Sequence, residues 1–197
     1  MVRKEPEPQV KEWIVKLNFK LFIVKEMPET ITFFSKIKQQ SILDIYLIGM
    51  MYLDDGIAEF LPWMDYAFLE FDTEIIRFKF IEESLKLRIE YVQSAIYDFE
   101  IEEDMHPAKS SISNLVLIST LADNTVKSIE IYGDEWVDGE LICDAICFNL
   151  ASGQELFLDP ISFLGINIGS KEQKDLWLNN SPNTNSYTVP KSIVELC

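Results

Sequence analysis

The chain has 197 residues and a formal net charge of −16, with 33 Asp and Glu against 17 Lys and Arg. It is 48% hydrophobic and 12% aromatic, which excludes the disordered acidic class, because such chains lack the material for a core. The length fits one domain, and the sign of the charge disfavours nucleic acid and anionic membranes as partners.

The first ten residues are charged and contain no apolar run, so they read as a flexible lead-in and not as a signal peptide. Residues 11–178 are expected to form a single α+β domain, and residues 179–197 a polar loop and tail. From Trp13 to Val24 apolar and polar residues alternate, which predicts a strand with a basic outer face. Ile31, Phe34 and Ile37 recur at helical spacing within Thr30 to Gln40. Ile42 to Leu53 is apolar except for Asp44, and periodicity does not settle its type. It is too short to span a bilayer, which needs about 20 residues, and it ends at the turn signal Asp54-Asp55-Gly56.

A β-rich block follows the break at Pro62. Tyr66 to Asp72 and Glu74 to Ile81 read as strands. Leu85 to Val92 and Ser94 to Glu102 alternate strictly, as antiparallel strands with one wet face do. The segment Ser110 to Leu121 is ambiguous, and Thr125 to Tyr132 reads as a strand. Gly133 to Gly139 reads as an acidic loop, and Leu141 to Leu150 as one central strand covered on both sides. Ala151-Ser152-Gly153-Gln154 signals a hairpin. After Asp159-Pro160 the chain is expected to leave the sheet. A short helix is expected from Lys171 to Leu178, and Lys191 to Cys197 reads as an edge strand or a tail. The fold class is α+β, predominantly antiparallel, with about eight strands and two or three short helices.

Chemistry has few footholds. The one histidine, His106, could serve as a base only beside Asp104, and a solvated loop residue is the simpler reading. No zinc spacing, calcium loop or GxSxG elbow is present. Gly165 to Lys171 has one residue too few between its glycines for a phosphate loop. Cys143, Cys147 and Cys197 are odd in number and read as reduced thiols in a cytoplasm. The chain is therefore expected to be non-catalytic, cytoplasmic and without cofactor or metal.

The acidity is uneven. Residues 1–40 hold eight Lys and Arg against five acids, and the remainder nine against 28. No Lys or Arg lies between Lys38 and Arg77, or between Lys127 and Lys171. Within these stretches Asp54, Asp55 and Glu59 precede Trp63, and Asp134, Glu135, Asp138 and Glu140 surround Trp136. An aromatic residue among acids has the composition of an interface anchor with a charged rim. These nine residues are the expected contacts for a basic protein partner.

In size and charge over its whole length the chain resembles the bacterial immunity proteins that neutralise polymorphic or contact-dependent toxins. The resemblance implies a cognate toxin, a nuclease being the class with a matching cationic cleft. The alternative is an acidic adaptor or nucleic-acid mimic that binds a DNA-binding protein, or a structural domain.

Overall fold

The structure, a computed structural model, describes residues 28–94, 106–161, 165–180 and 189–196. The strand expected over 13–24, most of that over 94–102, the lead-in 1–10, Asp104 and Cys197 lie outside the described residues.

The first helix, α1, covers Pro28–Phe34, and a 3-10 turn, Ser35–Ile37, continues it. Proline suits the first helical position, where its missing N–H leaves no bond unmade. Phe34 and Ile37 are buried, whereas Ile31, the third residue of that spacing, is exposed. The apolar segment after them is a strand, β1 (Asp44–Asp54), which turns at Asp55 and Gly56 into β2 (Ile57–Pro62). The next strands are β3 (Tyr66–Glu70), β4 (Ile75–Ile81), β5 (Lys86–Val92) and β6 (His106–Ser111), followed by the one-turn helix α2 (Ser113–Val116). Then come β7 (Val126–Tyr132), β8 (Glu135–Val137), β9 (Glu140–Cys143), β10 (Ala145–Leu150), β11 (Glu155–Ile161) and β12 (Gly165–Gly169). Helix α3 (Lys171–Asn180) and β13 (Ser192–Glu195) complete the described chain. The α+β, mostly antiparallel class holds, but the described residues contain thirteen strands where the sequence suggested about eight.

The strands form two antiparallel sheets. Five strands run in the order β12-β11-β10-β7-β13. The other eight run β2-β1-β3-β4-β5-β9-β8, with β6 also on β1. β6 lines β1 from Tyr46 to Met51, while β3 takes Asp44 to Tyr46 and β2 takes Gly49 to Asp54. Since β6 occupies one edge of β1, β2 and β3 must share the other edge end to end.

The alternation of each strand sorts its residues between two faces. Leu47, Ala67, Leu69, Ile76, Phe78, Leu87 and Ile89 point to the shared core and meet Ile129, Ile131, Phe148, Leu156 and Leu158 of the five-stranded sheet. Phe78 and Phe148 touch across this layer edge to face, with centroids 6.1 Å apart. Tyr46, Ile48, Tyr66 and Phe68 form a second cluster on the opposite face. The register pairs Tyr46 with Phe68, and their rings stack at 5.2 Å. On the far side of the five-stranded sheet, Tyr132, Ala145, Cys147 and Phe157 lie under Trp177 and Leu178 of α3.

Three expectations are corrected. Gly133 to Gly139 is not a loop: Glu135–Val137 is a strand, and only Asp138 and Gly139 turn. Leu141 to Leu150 is not one strand but two, broken at Asp144 and divided between the sheets. Tyr132 pairs with Ala145 and Glu135 with Ile142 in one continuous register. β7–β8 and β9–β10 are thus one long hairpin, bent where Gly133 and Asp134 face Cys143 and Asp144. Finally, the chain does not leave the sheet after Pro160. β11 runs on to Ile161, and β12 pairs back along it. A β-carbon on Gly165, whose φ is +85°, would fall 2.2 Å from the Met64 carbonyl oxygen. That close approach, with Ile166 N–H donating to the same oxygen at 2.8 Å, ties the two sheets together.

Candidate functional site

At one level of the eight-stranded sheet, Phe80 N–H donates to the Asp65 carbonyl at 2.8 Å. Phe80 pairs with Leu87, and Leu87 with Cys143. Asp134 follows on the next strand. Beyond this row, at the same end of the sheet, project the β1–β2 hairpin and the β4–β5 turn. The acids brought to this end are Asp55, Glu59, Asp65, Glu82, Glu83 and Glu135, all exposed, together with the half-buried Asp144. They come from both Lys/Arg-free stretches and from the turn between β4 and β5. From the line of β2 and β3 to β8 is four strand spacings, roughly 19 Å along the sheet.

The β1–β2 hairpin turns at Asp55 and Gly56, with φ of +47° and +81°, the left-handed conformations that a two-residue hairpin requires. Asp54 closes β1 opposite Ile57. Register puts Met50 beside Leu61 and Tyr52 beside Glu59 on one face. Tyr52, Ile57 and Leu61 are 57%, 70% and 40% exposed, so this face presents apolar surface beside Glu59. Trp63 stands half-buried at the break between β2 and β3, its N–H on the Ile48 carbonyl at 2.8 Å.

The second acidic stretch is divided. Asp134 is buried, and its Oδ2 accepts from Ser192 Oγ at 2.9 Å. Glu135 pairs with Lys86 at 2.6 Å, and Asp144 lies 3.8 Å from the same ammonium. Glu140 is 3.1 Å from Arg88 Nε. Asp138 caps the β8–β9 turn at the opposite end of the sheet, next to β5's last residues. Trp136 is part of the packing there: its Nε1 donates to Thr30 Oγ1 at 3.0 Å, and its ring lies 5.8 Å from that of Phe33. Sequence reasoning missed Asp65, Glu82, Glu83 and Asp144 as members of this end. The pair Glu82-Glu83 at a strand-to-strand turn was the signal available for two of them.

Two clefts open between these groups. One, of about 520 Å³, is lined by Asp65, Glu82 and Glu83 with Lys79 and Arg88. The other, of about 450 Å³, lies at the hairpin bend between Asp134, Glu135 and Asp144 on one hand and Lys86 and Lys191 on the other.

Elsewhere the ionisable groups serve packing. Under α3, Lys174 Nζ bonds Glu130 at 2.8 Å and Glu155 at 2.9 Å. Tyr132 OH and Asn149 Nδ2 also donate to Glu130, at 2.8 and 3.1 Å. Burial alone would raise Glu130, but the bonds from Lys174, Asn149 and Tyr132 outweigh it and hold its carboxyl below the usual range. Burial likewise opposes the Lys174 charge, and its two carboxylate partners more than offset this, raising its pKa. Burial pushes the Cys147 thiol up to about 12 and the Cys143 thiol well above its ordinary value. Both are free and uncharged, consistent with small apolar fillers. His106 is exposed at the start of β6, opposite Met51. Among the described residues no group of three or more His, Cys, Asp or Glu could hold a metal ion, and no helix is long and apolar enough to cross a membrane. No protein-family model matches the chain, and no curated protein or solved structure matches it either.

Proposed function

We propose that the chain is a non-catalytic acidic protein that binds and neutralises a basic protein partner, as an immunity protein blocks its toxin. The docking surface is the end of the eight-stranded sheet that carries the β1–β2 hairpin, the β4–β5 turn and the bend at Asp134. The observation that supports this reading is the gathering of exposed carboxylates from three separate chain segments at one end, beside the exposed Tyr52, Ile57 and Leu61. Apolar anchors with a charged rim are the usual anatomy of a specific interface. A field of one sign steers an oppositely charged partner and speeds encounter. A nuclease is the partner class best matched to such a surface, because its own nucleic-acid cleft is cationic.

The test is recovery of a partner by affinity purification from the native source, followed by stopped-flow association at increasing salt. The expected partner is basic, and its association rate falls steeply as NaCl is added. An association rate that salt leaves unchanged would falsify the steering argument, and a partner without enzymatic or toxic activity would point to an adaptor instead.

A further inference from the structure

The cleft at the hairpin bend is bordered by Asp134, a residue with an unmet acceptor. Asp134 is 6% exposed. One of its carboxylate oxygens is held by Ser192 Oγ at 2.9 Å, while Oδ1 is buried without a hydrogen-bond partner. Lys191 reaches the Asp134 backbone carbonyl and not its carboxylate. A buried carboxylate oxygen without a donor is rare in folded proteins, because it has lost water and received nothing in exchange. Around it stand Asp144 and Glu135, with Lys86 between them. Three carboxylates against two ammoniums leave the cleft with a net charge of −1.

Three properties narrow what would fill it. The missing group is a donor, because the orphan is a carboxylate oxygen. It carries one positive charge, because one charge neutralises the cleft. It has several N–H groups in a plane, because Asp134 and Asp144 border the same space and both accept. A guanidinium meets all three conditions and gives up its hydration more readily than an ammonium does. We infer that this cleft receives an arginine side chain of the partner, with the guanidinium donating to Asp134 Oδ1 and to Asp144. The inference rests on the partner-binding reading above and adds the residue type that the partner must present. Oδ1 has no solvent contact, so the arginine reaches it only as the Lys191 side chain, exposed and bonded to the Asp134 carbonyl, swings aside.

The probe is methylguanidinium chloride, titrated into the isolated protein at constant ionic strength and followed by amide and side-chain carboxylate NMR shifts. The expected result is a saturable shift at Gly133, Asp134 and Asp144 in the millimolar range. It should be several-fold weaker with methylammonium and absent with tetramethylammonium, which has no N–H to donate. Asp134→Asn should abolish the response. Because Asp134 also holds Ser192, Asp144→Asn is the second variant, expected to weaken binding at least several-fold while the far-strand amide shifts stay native. A response of equal size from tetramethylammonium, no saturable shift, or a shift that survives both substitutions overturns the inference. No partner is present in this titration, so its failure leaves the partner-binding reading standing. Conversely, a salt-independent partner association removes that reading whatever the cleft binds.

Discussion

A β-carbon placed on Gly133 would lie 1.8 Å from Asp144 Oδ2. The two residues face each other at the point where the long hairpin bends from one sheet into the other. Gly133 has φ of +63°, and Asp144 N–H donates to the Tyr132 carbonyl at 2.8 Å, so both chains turn at the same level.

Gly133→Ala combines a left-handed backbone with a steric clash. The nearest atoms belong to the Asp144 carboxylate, a side-chain end that can rotate away, so we expect a cost of about 1.5–2.5 kcal/mol, above that of the backbone alone. Gly153→Ala is the comparison: its φ is +86° but nothing lies within 4 Å of an added β-carbon, so only the backbone cost remains, about 1 kcal/mol. Urea denaturation of the two variants measures the difference. Equal losses would show that the Asp144 contact is unimportant.

Asp159 is 4% exposed in β11. Burial raises its carboxyl to about 6 from 3.8, against hydrogen bonds from Gln173 and Asn167. A carboxyl that holds its proton more tightly when folded stabilises the fold most at low pH, and that contribution is lost as pH rises from about 4 through about 6. A rise of that size corresponds to about 2–3 kcal/mol. Asp159→Asn keeps an acceptor for Gln173 Nε2 and cannot ionise. It should raise the melting temperature at pH 7, leave it unchanged near pH 4, and flatten the intervening slope. A variant no more stable than the parent at pH 7 contradicts the buried-carboxyl account.

Lys174 and Lys171 sit on one helix and should behave oppositely. Lys174 bridges two largely buried carboxylates, Glu130 and Glu155, and Lys174→Met removes the cation they share, leaving Glu130 its Tyr132 and Asn149 donors. A loss of about 3 kcal/mol is expected. Lys171 pairs with Asp175 four residues on, both more than half exposed, and Lys171→Met should leave stability unchanged within the error of the measurement. Urea denaturation followed by circular dichroism compares the two variants.

For partner binding, the double reversal Asp55→Lys with Glu59→Lys should slow association at least tenfold at low salt, and the gap should narrow as salt is added. Asp138→Lys, at the other end of the sheet, changes the net charge by half as much and should act only through it. Surface plasmon resonance on an immobilised partner compares them. If Asp138→Lys slows association as much as the double reversal does, docking is not confined to the hairpin end.

Alternation made β4, β5 and β7 legible, because period-2 patterning follows where one face is the more buried, whereas β3 is an apolar run buried on both faces. Leu87 and Ile89 are buried and Lys86, Arg88 and Glu90 are not, as that pattern requires. Leu85 departs from it, 47% exposed with φ of +53° in the turn. The bend at Asp144 was not legible. It falls in a run apolar on both sides, and which sheet a residue joins depends on strands distant in sequence. β12 was hidden for a related reason: Gly165 and Gly169 look like punctuation, but Gly165 is there to let Met64 approach. The acidic end was only partly legible. Composition found the hairpin and the Asp134 segment. It could not show that Glu82 and Glu83 lie between them, or that Trp136 packs beneath α1.

The bent hairpin has a thermodynamic consequence. Its 25 residues, 126–150, supply two neighbouring strands to each layer, and the layers bury one shared core, so neither sheet can be dismantled without exposing the apolar face of the other. The layers are not separable units of stability. Melting should be a single cooperative transition in which calorimetric and van't Hoff enthalpies agree, and amide exchange in β5 and β10 should report the same opening free energy.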